Sequence, residues 1–488
     1  MKKLKLSFVV CCLLICFFQI ACSDNDESGT QRAAFDPNQP IMIDDFYPDS
    51  GGIATPMIIS GKNFGSDTTG LRVYFVDENN VKHQGGLVSS NGNRLYVYVP
   101  EGLTYMRNIN IQVERKLKDR EEPFVGLANN AFIYKTQTSV TTIVGQVSNT
   151  DQPTKGGTLT TATLSAPVYI CLDDEDNIFI SERSIFNQGV CDMRCHKSDG
   201  ENSTGNILKA SITKGDVVVL SENQYGNPNS PIFYDEPGLE TVYVPADGGM
   251  EYYQMAKTTG YLPRRLLALK NTEYPEIDKD NWKYSFVVNK NDKQLYTVMW
   301  RGQLVRINPK TRLSQVLLKK VGIHGGSDSF CAFSPIEPNK LFICFSDNNE
   351  IWTVDLDDLK GKDIEEYHGE PYAGRACWEG KTPGTGWEDG LLRNAKFNNP
   401  REISFTSDGK LYIADAVNCC IRTIDTTVPQ NRATVSTAIG LPGTPGHQDG
   451  GPDIAKFHYP FGVAVSKDGT HIYVADTHNR VIRKLSIQ

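Results

Sequence analysis

The chain has 488 residues with 58 acidic against 50 basic side chains, a formal charge of −8, and it is rich in Gly, Asn, Asp and Tyr. That balance excludes the basic footprint a nucleic-acid partner requires. The length exceeds one typical domain.

The start, Met1-Lys2-Lys3-Leu4-Lys5, is cationic and leads into the apolar run Leu6 to Phe18, then Gln19-Ile20-Ala21-Cys22. A basic head, a short apolar core and a small residue before the cut describe a secretory signal. The run is shorter than the roughly 20 residues a membrane span needs. Ala21-Cys22 resembles the end of a lipobox, with Gln19 where such motifs usually carry Leu. The resemblance implies cleavage after residue 21 and a lipid on Cys22; an ordinary signal peptide cut elsewhere is the alternative. Cleavage removes Lys2, Lys3 and Lys5 and no acid, taking the charge from −8 to −11. The acidic Ser23-Asp24-Asn25-Asp26-Glu27 resembles an export tag of gut-bacterial lipoproteins, which implies the outer face of the outer membrane; otherwise it is a solvated linker. Residues 22–39 are polar and aperiodic and read as a flexible tether.

Residues 40–136 form the first unit. Alternating runs at Ile41-Met42-Ile43, Pro56–Ser60, Leu71–Val76, Arg94–Val99, Ile109–Val113 and Ala131–Tyr134 are divided by Pro48-Asp49-Ser50-Gly51 and Gly61-Lys62-Asn63-Phe64-Gly65 turns. This is the pattern of a small β-sandwich. The paired turns resemble the IPT/TIG family, which implies an immunoglobulin-like spacer.

From residue 138 to 488 a repeat governs the pattern. Short strands recur at Ile178–Ser181, Thr241–Val244, Leu295–Val298, Leu341–Cys344, Leu411–Asp415 and Ile472–Asp476. The last two repeats run in parallel. Asp415, Asn418, Ile421 and Arg422 answer to Asp476, Asn479, Ile482 and Arg483, while Asp389-Gly390, Phe397 and Pro400 answer to Asp449-Gly450, Phe457 and Pro460. The pattern resembles NHL-repeat propellers. It implies an all-β chain: an immunoglobulin-like (IPT/TIG) sandwich followed by a six-bladed NHL-type β-propeller, with blade two, around Thr241–Val244, the weakest repeat. Val140–Gly145 would supply the outer strand missing from the last blade. Asp and Asn three residues apart suit a tight turn by bonding local backbone and tolerating left-handed geometry, a structural role.

Ligands of propellers usually bind on the face shared by the D–A and B–C loops. Long insertions fall there. Residues 183–206 carry Cys191, Cys195 and His196; residues 372–397 carry Arg375, Trp378 and Trp387; residues 440–457 carry His447. Trp300 and Arg301 fall in the B–C turn of blade three. Tryptophan faces stack on sugar rings, so Trp378, Trp387 and Trp300 with Arg375 and Arg301 are candidate glycan contacts. The alternative is that Trp378 and Trp387 cap the core of their own loop. Cys191 and Cys195 are the best disulfide pair, with free thiols the alternative. Most of the other mature cysteines sit inside apolar strands and read as small core residues. The eight histidines share no ligand spacing, and no nucleophile motif or phosphate loop appears. No catalytic residue, metal or other cofactor is therefore expected.

The whole resembles accessory lipoproteins of outer-membrane nutrient-uptake systems. That implies a glycan or oligopeptide ligand, a TonB-dependent transporter and its lipoprotein lid as partners, and membrane contact through the lipid alone. A metal-dependent hydrolase or lyase on the same face, or a protein–protein adhesion platform, are the alternatives.

Overall fold

The computed structural model describes residues 34–487 apart from 53, 78–79, 101–102, 104–108, 135–137, 151, 184–203, 226, 237, 248–249, 279–281, 325 and 375–384. The signal segment, Cys22, Cys191, Cys195, His196, Arg375, Cys377 and Trp378 lie outside the described residues. The chain divides into two units between Thr136 and Gln137.

The first unit packs two sheets. One orders Met42–Tyr47, Pro56–Gly65, Gly92–Tyr98 and Gly86–Ser90; the other orders Ser50–Gly51, Phe124–Tyr134, Ile109–Arg115, Leu71–Val76 and Lys82–Gln84. Strand alternation places Leu71, Val73 and Phe75 inside with Ile59, Leu95, Ile111 and Phe132, as a two-layer sandwich requires. The Gly-Lys-Asn-Phe-Gly turn has a mechanical explanation. Asn63 is left-handed (φ 62°), and its side-chain amide donates to the carbonyls of Asp36 (2.9 Å) and Gln39 (2.7 Å). Phe64 then enters the core, fully buried. The buried Arg115 donates through Nε to the Phe64 carbonyl at 3.0 Å. Phe35 packs edge-on against Phe124 at 5.0 Å. The sandwich therefore begins before residue 40: Phe35 to Gln39, read above as the end of a tether, is held on it.

The second unit is a six-bladed β-propeller whose blades are antiparallel sheets of four strands, with a short fifth on the outer edge of blade one (Gly157–Thr158) and of blade five (Gly390–Leu391). Blade one has Pro167–Leu172, Ile178–Arg183, Thr204–Ser211 and Asp216–Tyr225 from inside outward; blade two has Ile232–Tyr234, Thr241–Pro245, Glu251–Ala256 and Arg264–Leu267. Blade three has Val287–Val288, Leu295–Val298, Leu304–Ile307 and Ser314–Leu318; blade four has Ser329–Phe333, Lys340–Phe345, Glu350–Asp355 and Glu370–Ala373. Blade five has Pro400–Phe405, Lys410–Asp415, Cys420–Asp425 and Thr434–Ile439; blade six has Pro460–Val465, His471–Asp476 and Val481–Ile487. The sixth blade takes its outer strand, Thr138–Val144, from the start of the unit, with Val140 opposite Leu485. That closes the ring and removes two exposed sheet edges. Gly145 lies just beyond, with φ 93°, a conformation that ends the strand one residue earlier than expected. Cys171, Cys331, Cys344, Cys419 and Cys420 are buried free thiols, small apolar residues of the core as the sequence implies.

The inner strands meet around one acidic side chain. Glu402 of blade five accepts backbone N–H bonds at Oε2 from Ile170 of blade one (3.1 Å) and Val463 of blade six (3.0 Å). The Ser230 hydroxyl, just before blade two, bonds to Oε1. A Cβ on Gly462 would stand 3.0 Å from Glu402 Oε2 and 2.9 Å from the Val168 carbonyl, which is why that position carries none. Burial pushes the Glu402 carboxyl up to about 8, outweighing the downward pull of its hydrogen bonds.

Removing the carboxyl leaves three buried donors without their acceptor. Glu402→Ala is expected to lower unfolding stability by about 3 kcal/mol, read from the urea midpoint. A group whose pKa is raised by folding stabilises below its unfolded pKa and loses that contribution as pH rises through the folded one. Wild type should therefore lose stability relative to Glu402→Gln between about pH 5 and about pH 8. A pH-independent difference would contradict this.

Candidate ligand-binding face

The loops of blades five and six are pinned by a repeated buried network. Asp415, at the end of a second strand, accepts the Asn398 backbone N–H (2.9 Å), the Asn418 amide (2.8 Å) and Arg422 Nη1 (2.8 Å). Arg422 also donates to the carbonyls of Lys396 and Glu388 and to Asp389 Oδ1 (2.6 Å). Asp476, Asn479, Arg483 and Asp449 repeat the arrangement one blade on. Burial pushes Asp415 and Asp476 up to about 6, while Arg422 and Arg483 pull them down. Both are fully buried, so they join the B–C turn to the D–A loop and perform no chemistry on a ligand. The left-handed residue of each turn is not the Asp or Asn, as expected from sequence, but the next one, Cys419 (φ 56°) and Arg480 (φ 60°).

Trp387 belongs to the same repeat. Its Nε1 donates to Thr437 Oγ1 at 2.9 Å, and Asp389 accepts the Thr437 N–H at 3.0 Å. In blade six His447 takes that place: its Nε2 lies 2.8 Å from Thr142 Oγ1, and Asp449 accepts the Thr142 N–H at 2.9 Å. Trp387 is 48 % exposed, yet it fastens a loop to the fourth strand of blade five. Trp300 stands elsewhere, in the B–C turn of blade three. It tilts against Trp282 at 6.4 Å and leans on Gly326, where a Cβ would come within 2.5 Å of its ring. Arg301 beside it is exposed and paired with Asp278 at 2.8 Å. The fold thus groups Trp300, Arg301 and Trp282 on the loop face and leaves Trp387 on another blade.

Residues not singled out from sequence form a largely buried polar cluster on the same face. Arg183, ending the second strand of blade one, pairs with Asp247 in the B–C loop of blade two at 3.2 Å and lies 5.9 Å from the Tyr284 ring centre. The amides of Asn227 (3.0 Å) and Asn229 (3.1 Å) also donate to Asp247. Lys283, next to Trp282, donates to the Ala246 carbonyl at 3.3 Å; burial drives its ammonium down to about 7 against the pull of Asp247. Arg401, in the inner strand of blade five, donates to Asp328 Oδ2 at 2.9 Å and to the Tyr169 hydroxyl at 3.3 Å, and stacks 4.5 Å over Phe461. Five blades and their loops therefore contribute to one set of fixed charges, with Lys283 next to Trp282 in the chain and the Trp300 carbonyl accepting the N–H of Ser327 beside Asp328 at 2.8 Å. Such preorganised donors and acceptors are what a polar ligand site requires. The sequence signal was available: charges stand inside apolar context at Ile180-Ser181-Glu182-Arg183, Trp282-Lys283-Tyr284 and Pro400-Arg401-Glu402.

Among the described residues no group of three or more His, Cys, Asp or Glu side chains is placed to hold a metal. His458 and His478 approach at 4.8 Å with Tyr459 between blades, and burial drives His478 down to about 4 and lowers His458. His324 is 3.4 Å from Glu350, and His368 bonds the Lys320 carbonyl at 3.0 Å. These are separate contacts on different blades.

Residues 40–123 match the IPT/TIG domain. The N-terminal unit is an IPT/TIG domain. A comparison with curated protein sequences finds no match. Solved structures resemble the chain across both units. An auxiliary nutrient binding protein from Bacteroides ovatus is 18% identical with a TM-score of 0.61, covering 93% of this chain and 100% of its own. Another from Bacteroides thetaiotaomicron is 22% identical with a TM-score of 0.56, covering 93% and 99%. A structural genomics protein of unknown function from the same species is 20% identical with a TM-score of 0.61, covering 93% and 100%. At this identity the likeness shows a shared fold.

The network and the half-exposed tryptophan should separate on mutation. Asp415→Ala strands the buried Arg422 and is expected to cost about 3–5 kcal/mol, whereas Trp387→Ala, losing one hydrogen bond and some packing, should cost under about 1.5 kcal/mol. Equal losses in chemical denaturation would contradict the distinction.

Proposed function

We propose that the protein is a surface lipoprotein, anchored in the outer membrane through Cys22, that binds an extracellular glycan without transforming it. The observation that carries this is a set of fixed charges, with Arg183, Lys283, Asp328 and Arg401 buried and Asp247 partly exposed, beside the Trp282–Trp300 pair. Aromatic rings offer stacking faces to the C–H side of a sugar, and the charged groups and amides offer hydrogen bonds to its hydroxyls. The two full-length structural relatives described as auxiliary nutrient binding proteins support the nutrient-binding reading. No helix among the described residues is long and apolar enough to cross a membrane. In this proposal the lipid supplies the attachment, and the ligand is passed to an outer-membrane uptake system built on a TonB-dependent transporter and its lipoprotein lid. An oligopeptide is the second ligand class the same donors would accept. The disulfide between Cys191 and Cys195, and contacts from Arg375 and Trp378, remain proposals on the insertions of the same face.

Titration calorimetry against a panel of glycans and oligopeptides tests the reading. Trp300→Ala is expected to weaken binding roughly tenfold or more, about 1.4 kcal/mol, with Trp387→Ala within about twofold of wild type. No saturable binding to any panel member would overturn the proposal.

A further inference from the structure

The face opposite the binding loops holds a cavity of about 320 Å³ between blades two and three. Tyr234, Tyr243 and Gln254 of blade two form one wall, and the turn carrying Lys310 and Arg312 of blade three forms the other, with Arg264 at the start of blade two's outer strand. The turn is rigid. Asn308 caps it by accepting the Lys310 and Thr311 N–H groups at 2.9 Å each, and Arg312 is left-handed (φ 65°). The Arg312 carbonyl accepts the Leu269 N–H at 2.7 Å, tying the turn to blade two.

The charges in this cavity do not cancel. Lys310 is engaged by Glu236 at 2.7 Å, and Glu236 also takes the Tyr234 hydroxyl. Among the described residues neither Arg264 nor Arg312 is paired with a carboxylate. The Tyr243 hydroxyl accepts from Gln254 at 3.2 Å and keeps its own proton to donate. Two uncompensated guanidinium groups and a phenol donor thus line a concave site in a chain of net charge −8. Guanidinium groups recognise planar oxyanions through paired hydrogen bonds. The volume is that of a small organic ligand, larger than a free inorganic anion fills, and Leu239, Leu266 and Pro309 add apolar lining.

We infer that this cavity is a second binding site, for a carboxylate carried on a ring of monosaccharide size, that is, a sugar acid. It is independent of the site on the loop face. Calorimetry of the mature protein with glucuronate, galacturonate, glucose and inorganic phosphate tests it. Saturable binding of at least one sugar acid is expected, with glucose and phosphate at least tenfold weaker. Arg264→Gln/Arg312→Gln should weaken sugar-acid binding at least tenfold, and Trp300→Ala should leave it unchanged. Arg264 is exposed at a strand start, so Arg264→Gln alone keeps its fold and should still weaken binding severalfold. Failure of both sugar acids to bind, affinity unchanged in the arginine variants, or phosphate binding as tight as the sugar acid would each overturn the inference.

Discussion

A single buried carboxyl holds the inner strands of the propeller to one another. Glu402 reaches from blade five to backbone donors on blades one and six and to a hydroxyl before blade two. A six-bladed ring brings its inner strands close to a common axis, and their backbone groups must find acceptors there. Glu402 supplies one for Ile170 and Val463, and the absence of a Cβ at Gly462 makes room for it. The strand exchange at the ends of the unit complements this lock: Thr138–Val144 closes the ring from outside while Glu402 joins it from within.

The loop face inherits its order from that frame. In blades five and six an Asp–Asn–Arg network ties each B–C turn to the preceding D–A loop at Glu388, Asp389 and Lys396 and at Gln448, Asp449 and Lys456. Buried ion pairs of this kind add little net stability but penalise every alternative loop arrangement. Outside that network, other charged pairs stand on the same face. Arg183 pairs with Asp247 and Arg401 with Asp328, near Trp282 and Trp300.

Much of the fold was legible in the sequence because it depends on local rules. Strand alternation, turn residues and the near-duplicate repeats at Asp415 and Asp476 revealed the sandwich, six blades and the ring closure. Blade two, the faintest repeat, was nonetheless present at Thr241–Pro245. The site was less legible, because it joins residues such as Arg183 and Asp247, 64 positions apart, and Tyr169 and Arg401, 232 apart, that only the ring brings together. Trp387 drew attention as a rare aromatic in a loop, yet it is equivalent to His447 and fastens a strand. Arg183, Lys283 and Arg401 sat unnoticed inside apolar runs, where their charge was itself the signal. Asn63 shows the same on the sandwich: the turn motif was recognisable, but its grip on Asp36 and Gln39 was not.

The central claim is that the loop face of the propeller, around Trp282, Trp300 and the charges beside them, takes the ligand. Hydrogen–deuterium exchange of the full chain, with and without the tightest-binding glycan of a panel, tests it most directly. The account predicts slowed exchange at residues 299–303, 327–329 and 246–247. Slowing confined to the opposite face or to the sandwich would contradict it.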